Sequence, residues 1–268
     1  MLNLFRMDLR RMFESRMFYI SSFILAAGIV LTVCMLHIVT DPDAREAGKK
    51  AGMVFTSEDE EDINEILSLS KTEALCSTIY SGGIFSLTLY IVAALFVCSD
   101  YSSGFAKNIF SVHGGRWHYF VSKLLCMAVV GLVWMAGTWI VFELCCRIVG
   151  LKFVPGPGMD MGMFVGGFGL VGLAFCAQSI LLCVLLRSEG AGIAAGIVIP
   201  SGLAVVLLEQ FLGIWGISVL DWSLYGCMEG VVSNLVNGTP VVRYLATAAV
   251  WFVLFTAAGM FVLKKKDI

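Results

Sequence analysis

Asp100, Gly104, Lys107 and Ser111 fall four, three and four residues apart in a polar stretch between two long apolar segments, so on a helix they share one face. Tyr101, Phe105, Ile109 and Val112 form a second, almost entirely apolar stripe. A carboxylate, an ammonium and a hydroxyl at that spacing suit ion pairing and hydrogen bonding with another protein, not covalent catalysis. A short amphipathic helix of this kind rests one face on a membrane boundary and offers the other to a partner, or else is a plain connector. Elsewhere the residue types that do chemistry lack the spacing for it. Gly167-x-Gly169-x-x-Gly172 matches the dinucleotide fingerprint as a string, but it lies in an apolar run with no preceding strand, so it reads as helix-packing glycine. Gly48-Lys49-Lys50 lacks the earlier glycine and the hydroxyl residue of a phosphate-binding loop. Ser201, in Ile199-Pro200-Ser201-Gly202, has no histidine in the last apolar run to serve as its base. His37, His113 and His118 have no cysteine or carboxylate cluster beside them, and the cysteines Cys34, Cys126, Cys145, Cys146, Cys176 and Cys183 read as small apolar packers. The expectation is a chain that is not an enzyme, with no metal site and no cofactor of its own.

The elements that position these residues are apolar helices. Hydrophobic residues make up 59% of the 268-residue chain and charged ones only 14%, crowded into a few places. Six runs are long enough to cross a hydrocarbon core of ~30 Å: Phe18 to Val39, Cys76 to Cys98, Leu124 to Cys146, Met163 to Leu186, Ala191 to Leu208 and Tyr244 to Leu263. None alternates with period two, so they are helices and not barrel strands. The expected fold is an all-α integral membrane protein forming one domain over residues 1–268. The first run is too long for a signal peptide, and no small-residue cleavage site follows it.

Arg6, Arg10, Arg11 and Arg16 precede the first span, while Lys107, Arg116 and Lys123 lie between the second and third. Arg187 sits in the fourth-to-fifth turn and Lys264-Lys265-Lys266 follows the last span. With six spans all of these fall on one side, which the positive-inside rule makes cytoplasmic, with both termini inside. Residues 1–17 read as an interfacial helix with Leu2, Phe5, Leu9, Met12 and Phe13 at helical spacing. The 40–75 loop is acidic. Its run Glu58 to Asp62, opened by Ser57 with Glu60 three residues on, predicts a capped helix continued by Ile63, Ile66 and Leu67. The fifth span holds Gly192-x-x-x-Gly196, a close-packing signal, and is interrupted by Pro200. Residues 209–243 stay apolar but are broken by Gly213, Gly216 and Gly226, which predicts short re-entrant or interfacial helices before an Asn237-Gly238 turn. Glu143 is the one carboxylate inside a span, four residues from Arg147, and Glu209 lies at the edge of the fifth. Without a carboxylate pair at the membrane midplane, an ion-coupled carrier lacks its coupling site.

This plan resembles, over essentially the full length, the permease subunits of type 2 ATP-binding-cassette (ABC) exporters. That family has an elbow helix, six spans with both ends inside, a cytosolic coupling helix between spans two and three, and a re-entrant pair before span six. Asp100, Gly104, Lys107, Ser111, Arg116 and Lys123 match the family's acidic, glycine, basic, hydroxyl, basic and lysine positions, while His113-Gly114-Gly115 stands where a proline is common. The resemblance implies a permease dimer in a bacterial cytoplasmic membrane, each copy docked on a separate ATPase that holds the ATP and magnesium. Asp100, Tyr101, Gly104, Phe105, Lys107, Asn108, Ser111 and Arg116 would form the coupling contact in loop 99–123. Phe85, Tyr90, Phe96, Val198 and Leu207 would line the pathway. The implied cargo is an amphipathic peptide of the phenol-soluble modulin or antimicrobial type. A drug or lipid exporter, a self-immunity pump of the same family, and a non-transporting scaffold or sensor remain alternatives.

Overall fold

The computed structural model describes residues 2–50, 52, 68–112, 117–154, 159–216 and 218–265. Helix α1 (Leu2–Glu14) stops where the Ser15 hydroxyl accepts from the Phe18 amide at 3.3 Å, which caps α2 (Arg16–Thr40). Helix α3 (Pro42–Lys50) follows. The acidic run Glu58 to Asp62, with Ser57, Ile63, Ile66 and Leu67, lies outside the described residues. A capping box is present instead at Ser70: its hydroxyl accepts from the Glu73 amide at 3.3 Å, and the Glu73 carboxylate accepts from the Ser70 amide at 2.6 Å. This opens α4 (Lys71–Leu75), which runs through one π-helical turn (Cys76–Tyr80) before α5 (Ile84–Ser102). Then come α6 (Phe105–Val112), α7 (Trp117–Val149) and α8 (Met159–Met163). A second π turn (Phe164–Phe168) leads into α9 (Gly169–Leu186). The chain continues through α10 (Glu189–Val198), α11 (Leu203–Leu212), α12 (Leu224–Asn237) and α13 (Val242–Lys265).

Five helices are long and apolar enough to cross a membrane, and α10 with the α11 segment makes a sixth if that pair, bent by 58°, counts as one span. Among the described residues no strand forms; one isolated bridge joins Ser70 to Val154. The protein is therefore helical and multi-pass in character. Large apolar side chains on the outside of α2, α7 and α13, such as Phe23, Ile140 and Phe261, are exposed as lipid-facing positions would be.

One span departs from the expected continuous helix, another breaks at the proline expected to interrupt it, and the two breaks touch. The second span is interrupted at residues 81–83, where Gly83 takes φ +69°. The fifth is interrupted around Pro200, which has no N–H to continue the ladder, and Gly202 at φ +73°. A Cβ at Gly83 would come within 2.8 Å of the Pro200 carbonyl oxygen, so this contact requires glycine. Lower down, α10 lies directly on α5: Cβ atoms at Gly192 and Gly196 would meet Ala94 at 3.1 Å and Ile91 at 2.6 Å. The small-residue spacing therefore does what the sequence reading assigned to it. Two of the three fingerprint-like glycines also pack helices, Gly167 against Val231 and Gly172 against Leu89, while a Cβ at Gly169 would meet open space.

Helix α9 holds the centre of the bundle and buries Phe175, Cys176 and Ile180. Beside it Tyr80, Phe85, Phe164 and Phe168 form an aromatic cluster, with the Tyr80 and Phe168 rings 4.6 Å apart. The Tyr80 and Thr138 hydroxyls are 2.9 Å apart, so the phenol is not left unpaired in the core. A second core cluster gathers Leu4, Ile109, Tyr119, Ile180 and Leu263 at the end of the bundle that carries α6.

Candidate functional site

At the α6 end, four charges meet below the surface. Asp8 of α1, Asp100 of α5 and Lys123 of α7 are each fully buried, and Arg11 of α1 is partly exposed above them. The Lys123 Nζ donates to Asp8 Oδ1 at 2.8 Å and lies 2.6 Å from Asp100 Oδ2. Arg11 Nη2 donates to Asp100 Oδ1 at 2.8 Å. Hydroxyls complete the carboxylates: Ser122 donates to Asp8 Oδ2 at 2.6 Å, and Tyr119 donates to Asp100 Oδ2 at 3.0 Å. Aromatic faces cover the cations, with Lys123 Nζ 3.8 Å from the Phe96 ring centre and the Arg11 guanidinium 4.1 Å from that of Phe105. Two positive and two negative groups leave no net charge. A buried pair survives desolvation only when its remaining lone pairs and protons are satisfied, and here they largely are.

The local sequence explains how this cluster ends α5 and starts α6. The Ser99 hydroxyl donates to the Phe96 carbonyl at 3.0 Å, and the Ser103 hydroxyl donates to the Ser99 carbonyl at 2.7 Å. Back-bonding serines followed by Gly104 at φ +74° terminate the helix. The chain turns, the Lys107 amide donates to the Gly104 carbonyl at 3.1 Å, and α6 begins. Ala106 and Ile109 of α6 are buried against the bundle, while Lys107 and Asn108 are exposed.

This corrects the single-face reading. Asp100, Gly104, Lys107 and Ser111 do not share one helix, because the break at Ser103-Gly104 separates them. Asp100 is not offered to solvent but is fully buried, since its carboxylate completes the charge cluster. Gly104 makes the turn. Phe105 lies half-buried under Arg11, and the half-buried Tyr101 ring carries the Arg187 guanidinium at 5.6 Å. Lys107 and Asn108 are the exposed members of the set. The Ser111 side chain and all of Arg116 lie outside the described residues, as do His113, Gly114 and Gly115.

The pathway candidates also divide. Phe85, Tyr90 and Phe96 are almost wholly buried inside this chain's own core, which corrects their assignment as lining residues. Apolar burial against α9 and α10, together with the cation at Phe96, accounts for them. Val198 and Leu207, on the bent pair, are exposed.

Asp8 was not among the residues singled out from sequence, although a signal for it exists. It is the single acid between Arg6, Arg10 and Arg11, and it sits four residues from both Leu4 and Met12. Those three form the face that α1 buries; of the expected stripe Leu2, Phe5, Leu9, Met12 and Phe13, only Met12 is fully buried. Lys123 lies well inside α7 because that helix starts at Trp117 and not at Leu124.

At the far end the ionic contacts are more exposed. Glu143 accepts from Arg147 Nε at 2.7 Å, as its spacing allows, and also from Lys71 Nζ at 3.0 and 2.8 Å. Glu209 accepts from the Val219 and Leu220 amides at 2.6 and 2.8 Å, which pins the connection into α12. Among the described residues no group of histidines, cysteines and carboxylates is placed to hold a metal. No protein-family model matches the chain, and no curated protein sequence matches it.

Proposed function

We propose that this chain is the membrane-spanning permease subunit of an ATP-driven exporter, working as a dimer and powered by separate ABC ATPase subunits that carry the ATP and magnesium. The observation that supports this most is the mounting of α6. It is a short helix with one face buried and Lys107 and Asn108 exposed, placed directly after a buried charge cluster. A lever that transmits a push needs an exposed contact and a stiff root. The cluster ties α1, α5 and α7 together at that root, so a displacement of α6 reaches two long helices at once. The basic residues that follow or precede the spans favour this end as the cytoplasmic one, in a bacterial cytoplasmic membrane, with α1 as the elbow helix and α12 as the re-entrant element. The exposed apolar bent pair, including Val198 and Leu207, would face the second copy and the pathway. The cargo best suited to such walls is a hydrophobic or amphipathic peptide.

The test is affinity purification of the tagged chain from its native membrane, with identification of any co-purifying subunit that carries a nucleotide-binding cassette. Lys107→Glu is expected to abolish its recovery while the permease itself stays folded, and Gly104→Trp, which also strains the turn at φ +74°, is expected to abolish it too. Absence of any cassette subunit, or its full retention on both variants, supports the scaffold or sensor class instead.

A further inference from the structure

A groove of about 490 Å³ opens between α2, α5 and the first residue of α10, at the α6 end of the bundle. Ile20 and Ile24 of α2 face Ile91 and Leu95 of α5 across it, and Ser21, Ser99 and Glu189 supply its polar atoms. Residues 91, 95 and 99 are spaced by four, so the groove follows α5 for about two turns, ~12 Å. Its volume is in the range of small-molecule sites, roughly 300–1,000 Å³.

Among the described residues Glu189 is the one charged residue in the walls, and it is held in place. The Ser102 hydroxyl donates to its Oε1 at 3.0 Å, Ser188 caps α10 through the Ala191 amide at 3.4 Å, and Gly192 presses α10 onto α5. A carboxylate has about four lone-pair sites, so one serine leaves capacity for a cation. Of the neighbouring basic residues, Arg187 lies over the Tyr101 ring at 5.6 Å, and neither it nor the exposed Arg16 lines the groove. A carboxylate at the mouth repels a phosphodiester headgroup and attracts an ammonium, and Glu189 is exposed to receive one. The groove between α2 and α7, about 280 Å³ beside Trp134, has no charged residue in its walls among the described residues and so offers no such selection.

We propose that the groove binds a cationic amphiphile, with its apolar chain between Ile24, Ile91 and Leu95 and its positive head against Glu189. This rests on the export reading for its purpose, as the site where cargo is taken from the inner leaflet, but the binding itself requires no ATPase. The test uses the purified full chain in nanodiscs of zwitterionic lipid, with radiolabelled dodecyltrimethylammonium as the probe and dodecyl maltoside as the neutral competitor. Saturable binding is expected, weakened about tenfold by Glu189→Gln and retained within about threefold by Glu189→Asp. Leu95→Trp, which fills the groove, is expected to weaken it similarly, and the maltoside is expected to compete poorly. Equal binding to wild type and Glu189→Gln, or equal competition by the maltoside, overturns the proposal. So does an Ile24→Cys chain that cross-links fully to a second copy and is not protected by the probe, because the groove is then an interface between copies. Binding without a cassette subunit sinks the export reading alone; a cassette subunit without binding sinks this proposal alone.

Discussion

The two ends of the bundle are held together by different physics. At the α6 end, Asp8, Asp100 and Lys123 are sealed from solvent and fix three helices through charge. At the far end, the connection through α12 depends on glycines that let main chain and rings approach. A Cβ at Gly226 would overlap the Leu220 carbonyl, one at Gly230 would overlap the Tyr244 ring, and one at Gly202 would lie 2.6 Å from the Tyr225 ring. One ion pair there, Arg243 with Asp221 at 3.2 Å, is solvent-exposed, and such pairs contribute little. Charge gives a directional joint whose members depend on one another, whereas close glycine packing joins helices by shape. A charged root beneath α6 and a far end with two touching helix breaks give the two ends different sensitivities to substitution.

The largest effect that breaks this contrast is expected from Lys123→Met. It leaves two buried carboxylates facing one another, and removal of one member of a buried ionic group costs about 3–5 kcal/mol. The double variant Asp8→Asn, Lys123→Met is expected to recover part of that loss, because residues in one network do not act additively. Thermal unfolding in nanodiscs reads both; additive losses would show that the charges are not a unit. Next in size, Gly230→Ala is expected to cost about 1–3 kcal/mol by overpacking against Tyr244, measured the same way. A smaller, pH-dependent effect comes from Glu229 of α12. Burial raises its carboxyl above the ordinary value, partly opposed by the hydrogen bond from Tyr225. The folded chain thus favours the neutral form, so its contribution is fully present below the ordinary carboxyl range and is lost as pH rises through the raised value. Glu229→Gln is expected to melt higher than wild type at pH 8, with the gap closing toward pH 4; a gap independent of pH would contradict this. The smallest stability change, within about 0.5 kcal/mol, is expected for the exposed Lys107→Glu, even though it is expected to remove partner binding.

Much of the fold was legible because lipid imposes simple demands. A run such as Met163 to Leu186 has no other way to satisfy its backbone than as a helix. The close-packing role of Gly192 and Gly196 was legible for the same reason, since glycine at that spacing has few other uses in an apolar helix. The charge cluster was not. Asp8 and Lys123 are 115 positions apart, and no local pattern says that two polar residues far apart in the chain neutralise one another. Asp100 looked like the start of an exposed face because its helical spacing to Lys107 was counted across a break. The signal for that break, Ser99, Ser102, Ser103 and Gly104, is itself in the sequence, but it is a helix-ending signal and not a periodicity.

The central claim is that an external motor grips α6, and site-directed cross-linking tests it most directly. In a Cys34→Ser, Cys145→Ser background, which leaves only buried native cysteines, a cysteine introduced at Asn108 on α6 or at Asn237 at the exposed end of α12 would be probed in native membranes with and without ATP. The account predicts a cross-link from position 108 to a nucleotide-binding cassette subunit, changed in yield by ATP, and none from position 237. No cross-link from 108, or equal cross-linking from both positions, would contradict it.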